Sequence, residues 1–198
     1  MRNSIWTDAE QLMSTALIVI DVQNAVLDYS ASPDRQPLVD KAQTEMVLRL
    51  QKILSRARAS GTPVFFVQHN EPPGDPLATN SAGWQIREEL TPDAGEPVVQ
   101  KASSDSFYDT DLHERLQAAK IGHLIIGGNA TQFCIDTTCR RAVSLGYDVS
   151  LLADCHMTGD AGDLRFDQII AHHNATLNGF GAGPHRITVT ESAKLLLA

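Results

Sequence analysis

Leu124-Ile125-Ile126-Gly127-Gly128-Asn129-Ala130-Thr131-Gln132-Phe133-Cys134 is an apolar run that breaks at two glycines and leads into a helix-like stretch. The carboxyl end of a strand feeding a helix is where an α/β protein puts its chemistry. A thiol in the first turn of a helix faces unpaired backbone N–H groups and the positive end of the helix dipole, and both favour thiolate over thiol. Cys134 is therefore a candidate nucleophile, with an expected pKa below that of a free thiol.

Other short apolar runs lie at 16–20, 64–67, 98–99, 149–152 and 187–189. Runs of that length, rich in branched residues, fit strands covered on both faces, as in a parallel sheet. Between them lie helical patterns. Residues 38–59 repeat apolar side chains at helical spacing and end at Gly61 and Pro63, 109–120 closes at Gly122, 131–145 closes at Gly146, and 164–177 looks similar. Strands alternating with helices predict a three-layer α/β/α sandwich around a mostly parallel, doubly wound, Rossmann-like sheet. The expected organisation is an extension over 1–15 and a single domain over 16–198. Two segments break the rhythm. Residues 71–97 carry five prolines and three glycines, and 153–163 holds Asp154, His156, Asp160 and two glycines. Both are expected as loops at the ligand-binding end of the sheet.

With 198 residues, 42% of them hydrophobic and 20% charged, the chain can bury one substantial core. A net charge of -8 offers no footprint for nucleic acid or an anionic membrane. The polar segment 1–14 has neither the apolar core of a signal peptide nor the length of a membrane span, so a cytoplasmic protein is expected. Three cysteines without a Cys-x-x-Cys pair suggest reduced thiols and no structural zinc.

Asp21 directly follows the first apolar run, and a carboxylate there needs a partner or a purpose. It caps the following turn, or it faces Cys134 across a switch-point crevice and takes the thiol proton. Lys101 ends the run at 98–100 and is either solvated surface or a cation that supports the thiolate. Cys139, about 140° around the helix from Cys134, reads as packing. Cys155 beside His156 makes a poor dyad, since adjacent side chains seldom converge. In His172-His173-Asn174 the neighbouring imidazoles do not share a helix face, which argues against a metal. His69 stands alone at a strand end. Trp84, Phe107 and Tyr108 line a pocket or belong to the core.

Asp21-Val22-Gln23-Asn24, Gly83-Trp84-Gln85-Ile86, Gly95 through Lys101, Gly127 through Cys134 and Thr137 through Ala142 together resemble the isochorismatase-like cysteine hydrolases, over nearly all of 16–189. The resemblance implies Cys134 as nucleophile, Asp21 as general acid/base and Lys101 as electrostatic support. It further implies a non-proline cis peptide at Asn129-Ala130 and an oxyanion hole from the amides of Ala130 and Cys134. Gln23, His69, Trp84, Phe107, Tyr108, Thr131 and His156 are the expected substrate pocket. Nicotinamidases of the superfamily bind a metal through an Asp-x-His motif, whereas this chain reads Gln68-His69-Asn70-Glu71 at that place. Neither a metal nor another cofactor is therefore expected. True isochorismatases cleave a vinyl ether without a thiol, so Cys134 points to a small amide or carbamoyl substrate, hydrolysed at its C–N bond through a thioester. The alternatives are an ether hydrolase and a non-catalytic or redox-sensing member of the fold. The partners expected are a small-molecule substrate and further copies of the chain, as a homodimer or homotetramer.

Overall fold

The computed structural model describes residues 14–197. Most of the expected 1–15 extension lies outside that range, and Ser14 and Thr15 already belong to the first strand. The strands are β1 (Ser14–Ile20), β2 (Val64–His69), β3 (Val98–Lys101), β4 (Ile121–Asn129), β5 (Asp148–Met157), β6 (Gly181–Ala182) and β7 (His185–Thr190). They form one sheet in the order β3-β2-β1-β4-β5-β7-β6. Every pairing is parallel except β6 with β7.

The continuous apolar run of β1 follows from burial on both sides. Ala16, Ile18 and Ile20 enter one core, while Leu17 and Val19 enter the other. Helix α1 (Gln36–Ser60) covers the second face with Val39, Met46, Val47, Leu50, Ile53, Leu54 and Ala57. Each fully buried large side chain of this kind stabilises the layer by about 1.5–3 kcal/mol. Gly61, at φ 73°, ends α1. Helices α2 (Leu112–Ala118) and α3 (Asp136–Ser144) cover the first face, and α4 (Phe166–Leu177) packs near β5 and β7. None of the helices among the described residues is long and apolar enough to cross a membrane.

Three boundaries differ from the sequence expectation. Helix α2 is shorter than 109–120 because Asp109 and Lys120 both adopt left-handed backbone, φ 52° and 55°, which an α-helix cannot incorporate. The stretch 131–145 opens as a π-helical turn, Thr131–Ile135, before α3 begins. The loop expected from 153 begins only after Met157. In β5, pairing with β4 skips from Leu151 to His156 and then resumes through Met157, so residues 152–155 form a bulge within the strand. Asp154, Cys155 and His156 are thus strand residues, and a bulge dissolves the periodicity by which a strand is recognised. The segment 71–97 is mostly loop as expected, with one 3-10 turn at Glu88–Leu90.

Gly127 and Gly128 allow β4 to press against its neighbours. A Cβ on Gly128, at φ 132°, would lie 1.9 Å from the Ile20 carbonyl oxygen, and one on Gly127 would meet Leu50 and Cys155. The two backbones therefore meet at the end of β1 with no room for a side chain.

Candidate active site

From β1 the chain proceeds to β2 and β3 on one side, then returns to β4 and continues to β5 and β7 on the other. The switch point thus lies between β1 and β4, and crevices at such points bind ligands. Asp21 follows β1, and Cys134 follows β4 in the π-turn. Left-handed backbone at Asp21, φ 50°, breaks the strand alternation. Short polar side chains tolerate that conformation better than branched ones.

Lys101 is the last residue of β3 and pairs in register with His69 of β2. Its Nζ lies 2.6 Å from Asp21 Oδ2, and both side chains are excluded from solvent. The same ammonium donates to Ser103 O at 2.8 Å and to Cys134 Sγ at 3.2 Å, and lies 3.3 Å from His69 Nδ1. Both Asp21 carboxylate oxygens are buried without a hydrogen-bond partner among the described residues, the contact with Lys101 being an ion pair. Asp21, Lys101 and Cys134, far apart in sequence, are therefore in one contact group.

Burial alone would pull the Lys101 ammonium down, but Asp21 and Cys134 beside it hold it above its ordinary value. Burial pushes the Cys134 thiol up to about 12, and the Asp21 carboxylate adds to the rise while Lys101 opposes it. This direction is opposite to the lowering that the helix end and Lys101 alone would give. Loss of hydration around the sulfur outweighs the helix end and the lysine, so the resting group is the thiol.

The peptide between Asn129 and Ala130 is cis. The Ala130 N–H donates to no acceptor among the described residues. Tyr29 was missed in the sequence. Its hydroxyl reaches Asn129 Oδ1 at 3.4 Å, and burial, then Cys134 and Asp21, push its phenol up. The available signal was an aromatic residue in the loop following β1, at the same end of the sheet as Asp21. Asn129 was singled out only for its peptide bond and not for its side chain, whose Nδ2 is buried and unpartnered among the described residues.

The expected pocket separates into different roles. Gln23 is fully buried and its amide is spent on backbone, donating to the carbonyls of His69 and Trp84 at 2.9 Å and accepting from the His69 N–H at 2.8 Å. It ties the 71–97 loop to β2 and does not line a pocket. Phe107 is core, stacked on Tyr147 with ring centroids 5.9 Å apart. Tyr108 is 67% exposed. Trp84 is half-buried and its indole N–H reaches Asn70 Oδ1. Thr131 is buried, and its hydroxyl contacts His156 Nδ1 at 2.9 Å. Phe133, adjacent to the nucleophile candidate, is 57% exposed. Cys139 is buried in the core as expected.

His156 also meets Asn174 Oδ1 through Nε2 at 2.8 Å, and Asn174 donates to Ala153 O. It borders a cavity of about 310 Å³ between α1 and α4, together with Met46, Arg49 and Phe166. Its role is to brace Thr131, the first residue of the turn carrying Cys134. Burial lowers His156 to about 4, below the unfolded value of about 6.5. The stability it contributes is therefore present above pH 6.5 and lost as pH falls towards 4, about 3 kcal/mol over that window. In urea unfolding at pH 7 and pH 4.5, His156→Gln is expected to lose roughly 2 kcal/mol less than the wild type on acidification. Equal losses would remove this histidine from the acid branch.

Among the described residues no group of three or more His, Cys, Asp or Glu side chains could hold a metal ion. Comparison with known proteins agrees with the architecture. Residues 15–172 match the isochorismatase domain model. The chain is 35% identical to a streptothricin hydrolase of Streptomyces noursei over 73% of its length, but spans only 50% of that protein. It is 29% identical to the ureidoacrylate amidohydrolase RutB of Serratia proteamaculans, covering 73% of this chain and 71% of that one. A solved isochorismatase from Pseudomonas putida superposes with a TM-score of 0.79 at 28% identity, over 93% of this chain and 91% of that one. With the domain model matched over most of its length and the same sheet built around its switch point, the chain belongs to the isochorismatase family of hydrolases.

Proposed function

We propose that this hydrolase cleaves the C–N bond of a small amide or carbamoyl-type substrate through a thioester on Cys134. The observation that carries the reading is the buried contact group of Asp21, Lys101 and Cys134 at the switch point. A sulfur held as the thiol needs a base at the moment of attack, and the neighbouring Asp21 carboxylate has both oxygens without a hydrogen-bond partner among the described residues. The names of two relatives, a streptothricin hydrolase and a ureidoacrylate amidohydrolase, are in keeping with that chemistry.

In this scheme Asp21 takes the Cys134 proton as the sulfur bonds to the substrate carbonyl carbon, whose π electrons move to oxygen. Lys101 stabilises the negative charge on sulfur, and the N–H groups of Ala130 and Cys134 receive the oxyanion. Collapse of the tetrahedral intermediate breaks the C–N bond, and the proton held by Asp21 goes to the leaving nitrogen. Water then gives a proton to Asp21 and its oxygen to the thioester carbon. Collapse of this second intermediate breaks the C–S bond, and Asp21 returns the proton to sulfur. The net change is amide plus water to acid plus amine.

The test is a panel of small primary amides, N-carbamoyl compounds and one vinyl ether, with ammonia release and ether cleavage followed separately. Turnover of at least one amide or carbamoyl compound is expected. Cleavage of the ether alone would replace this reading with an isochorismatase-type reaction.

A further inference from the structure

The crevice at the switch point has two edges, Asp21 after β1 and Asn129 at the end of β4, and one aromatic side chain crosses between them. Tyr29, in the loop that follows β1, carries its hydroxyl to 3.4 Å from Asn129 Oδ1. Its ring lies on the backbone of Gly159, just after β5, where a Cβ would come within 2.9 Å of Tyr29 Cδ1 and 3.3 Å of Cγ. Burial, then Cys134 and Asp21, raise the phenol, so the hydroxyl stands within electrostatic reach of both groups. Tyr29 thus links the ends of three neighbouring strands, β1, β4 and β5, beside the contact group.

Two ties hold this loop shut. Gln36, in the first turn of α1, donates to Tyr29 O at 3.0 Å and accepts from the Ala31 N–H at 2.7 Å. Arg35 makes a two-point ion pair with Asp160, with Nη2 3.0 Å from Oδ1, and its guanidinium lies 5.6 Å from the centre of the Phe166 ring. The same Asp160 oxygen accepts from the Phe166 N–H at 2.8 Å, which fixes it to the start of α4. These ties are weak beside what they cover. The Arg35 and Asp160 side chains are 21% and 18% exposed, and partly exposed ion pairs add little stability. The hydroxyl contact at 3.4 Å is longer than an ordinary O–H hydrogen bond. Asp21 and Lys101, by contrast, form a pair sealed from solvent. The loop, and not the floor of the crevice, is the part that yields when a substrate enters.

We propose that Tyr29 is a size-selective gate on Cys134, seated on Gly159 and latched by the Arg35–Asp160 pair. Cys134 is partly exposed with the gate closed, so a small group reaches the sulfur past the ring and a bulky one only after the loop moves. The proposal rests on the crevice being the substrate site, and its test needs no turnover.

Cys134 is alkylated in the full chain with iodoacetamide and, separately, with the bulkier N-phenylmaleimide, and modification is followed by peptide mass spectrometry. The ratio of the two rates cancels any change in the ionisation of the sulfur, since both reagents attack the thiolate. Tyr29→Ala is expected to raise the maleimide-to-iodoacetamide ratio on the order of tenfold, the scale on which a pocket discriminates by size. Arg35→Met keeps an apolar stem against Phe166 but drops the latch, and should raise the ratio by a smaller factor. Cys139 and Cys155, both fully buried, report on the rest of the fold and should stay unlabelled. If Tyr29→Ala exposes them, the fold itself has loosened and Arg35→Met decides alone. A ratio unchanged in Arg35→Met, or unchanged in a folded Tyr29→Ala, would overturn the gate while leaving the thioester scheme intact. A wild type that turns over no amide would instead remove that scheme, and the alkylation ratios would still decide the gate.

Discussion

Cys134→Ala is expected to lower amide turnover by about four orders of magnitude or more while leaving the fold intact. Removal of a nucleophile that acts as one unit with its base leaves only the catalysis supplied by binding and the oxyanion donors. The fold should tolerate the change because the side chain is partly exposed, packs only at the margin of the first core, and is replaced by a strong helix former. Steady-state kinetics beside a thermal melt checks both halves. Full amide turnover in the variant would sink the thioester scheme. If the wild type also cleaves a vinyl ether, retention of that activity alone would separate the two chemistries within one protein.

The second large effect concerns the buried ion pair. Lys101→Met leaves the Asp21 carboxylate without its cation in a site that excludes water. Stripping one partner from a buried pair costs about 3–5 kcal/mol. Adding Asp21→Asn removes the stranded charge, so the double variant should recover most of that stability and yet stay inactive. Asp21→Asn by itself should cost about two to four orders of magnitude in turnover through loss of the general base. Urea unfolding of the two single variants and the double variant gives the coupling. A double variant no more stable than Lys101→Met would mean that the pair does not govern the stability of this region.

The fold was legible because its strands are buried on both faces. Runs such as that of β1 cannot be solvated on either side, and helix stops such as Gly61 are local signals that packing does not override. The bulge in β5 was not legible: Asp154 and His156 read as loop residues because their partners, Ser192, Thr131 and Asn174, come from distant parts of the chain. In the site, the strand-end positions of Asp21, Lys101 and Cys134 could be read in order along the sequence. Their meeting could not, since it depends on the strand order around β1 and on a left-handed turn at Asp21. The environment of the Cys134 thiol was legible only in part, for a related reason. The helix end is a local feature of the sequence, whereas the burial that outweighs it is assembled from several elements. Gln23 and Phe107 looked like pocket residues from their neighbourhood alone, and only tertiary packing turned one into a loop tie and the other into core.

The contact between Gly128 and the Ile20 carbonyl bears on how such an enzyme acquires new substrates. A side chain at position 128 would overlap the backbone of β1, so the seam that sets the spacing between Asp21 and Cys134 admits no adjustment by substitution there. Variation must enter where backbone and solvent leave room, in the proline-rich 71–97 segment and around exposed Tyr108 and Phe133. A library that diversifies those positions leaves the spacing between Asp21 and Cys134 untouched.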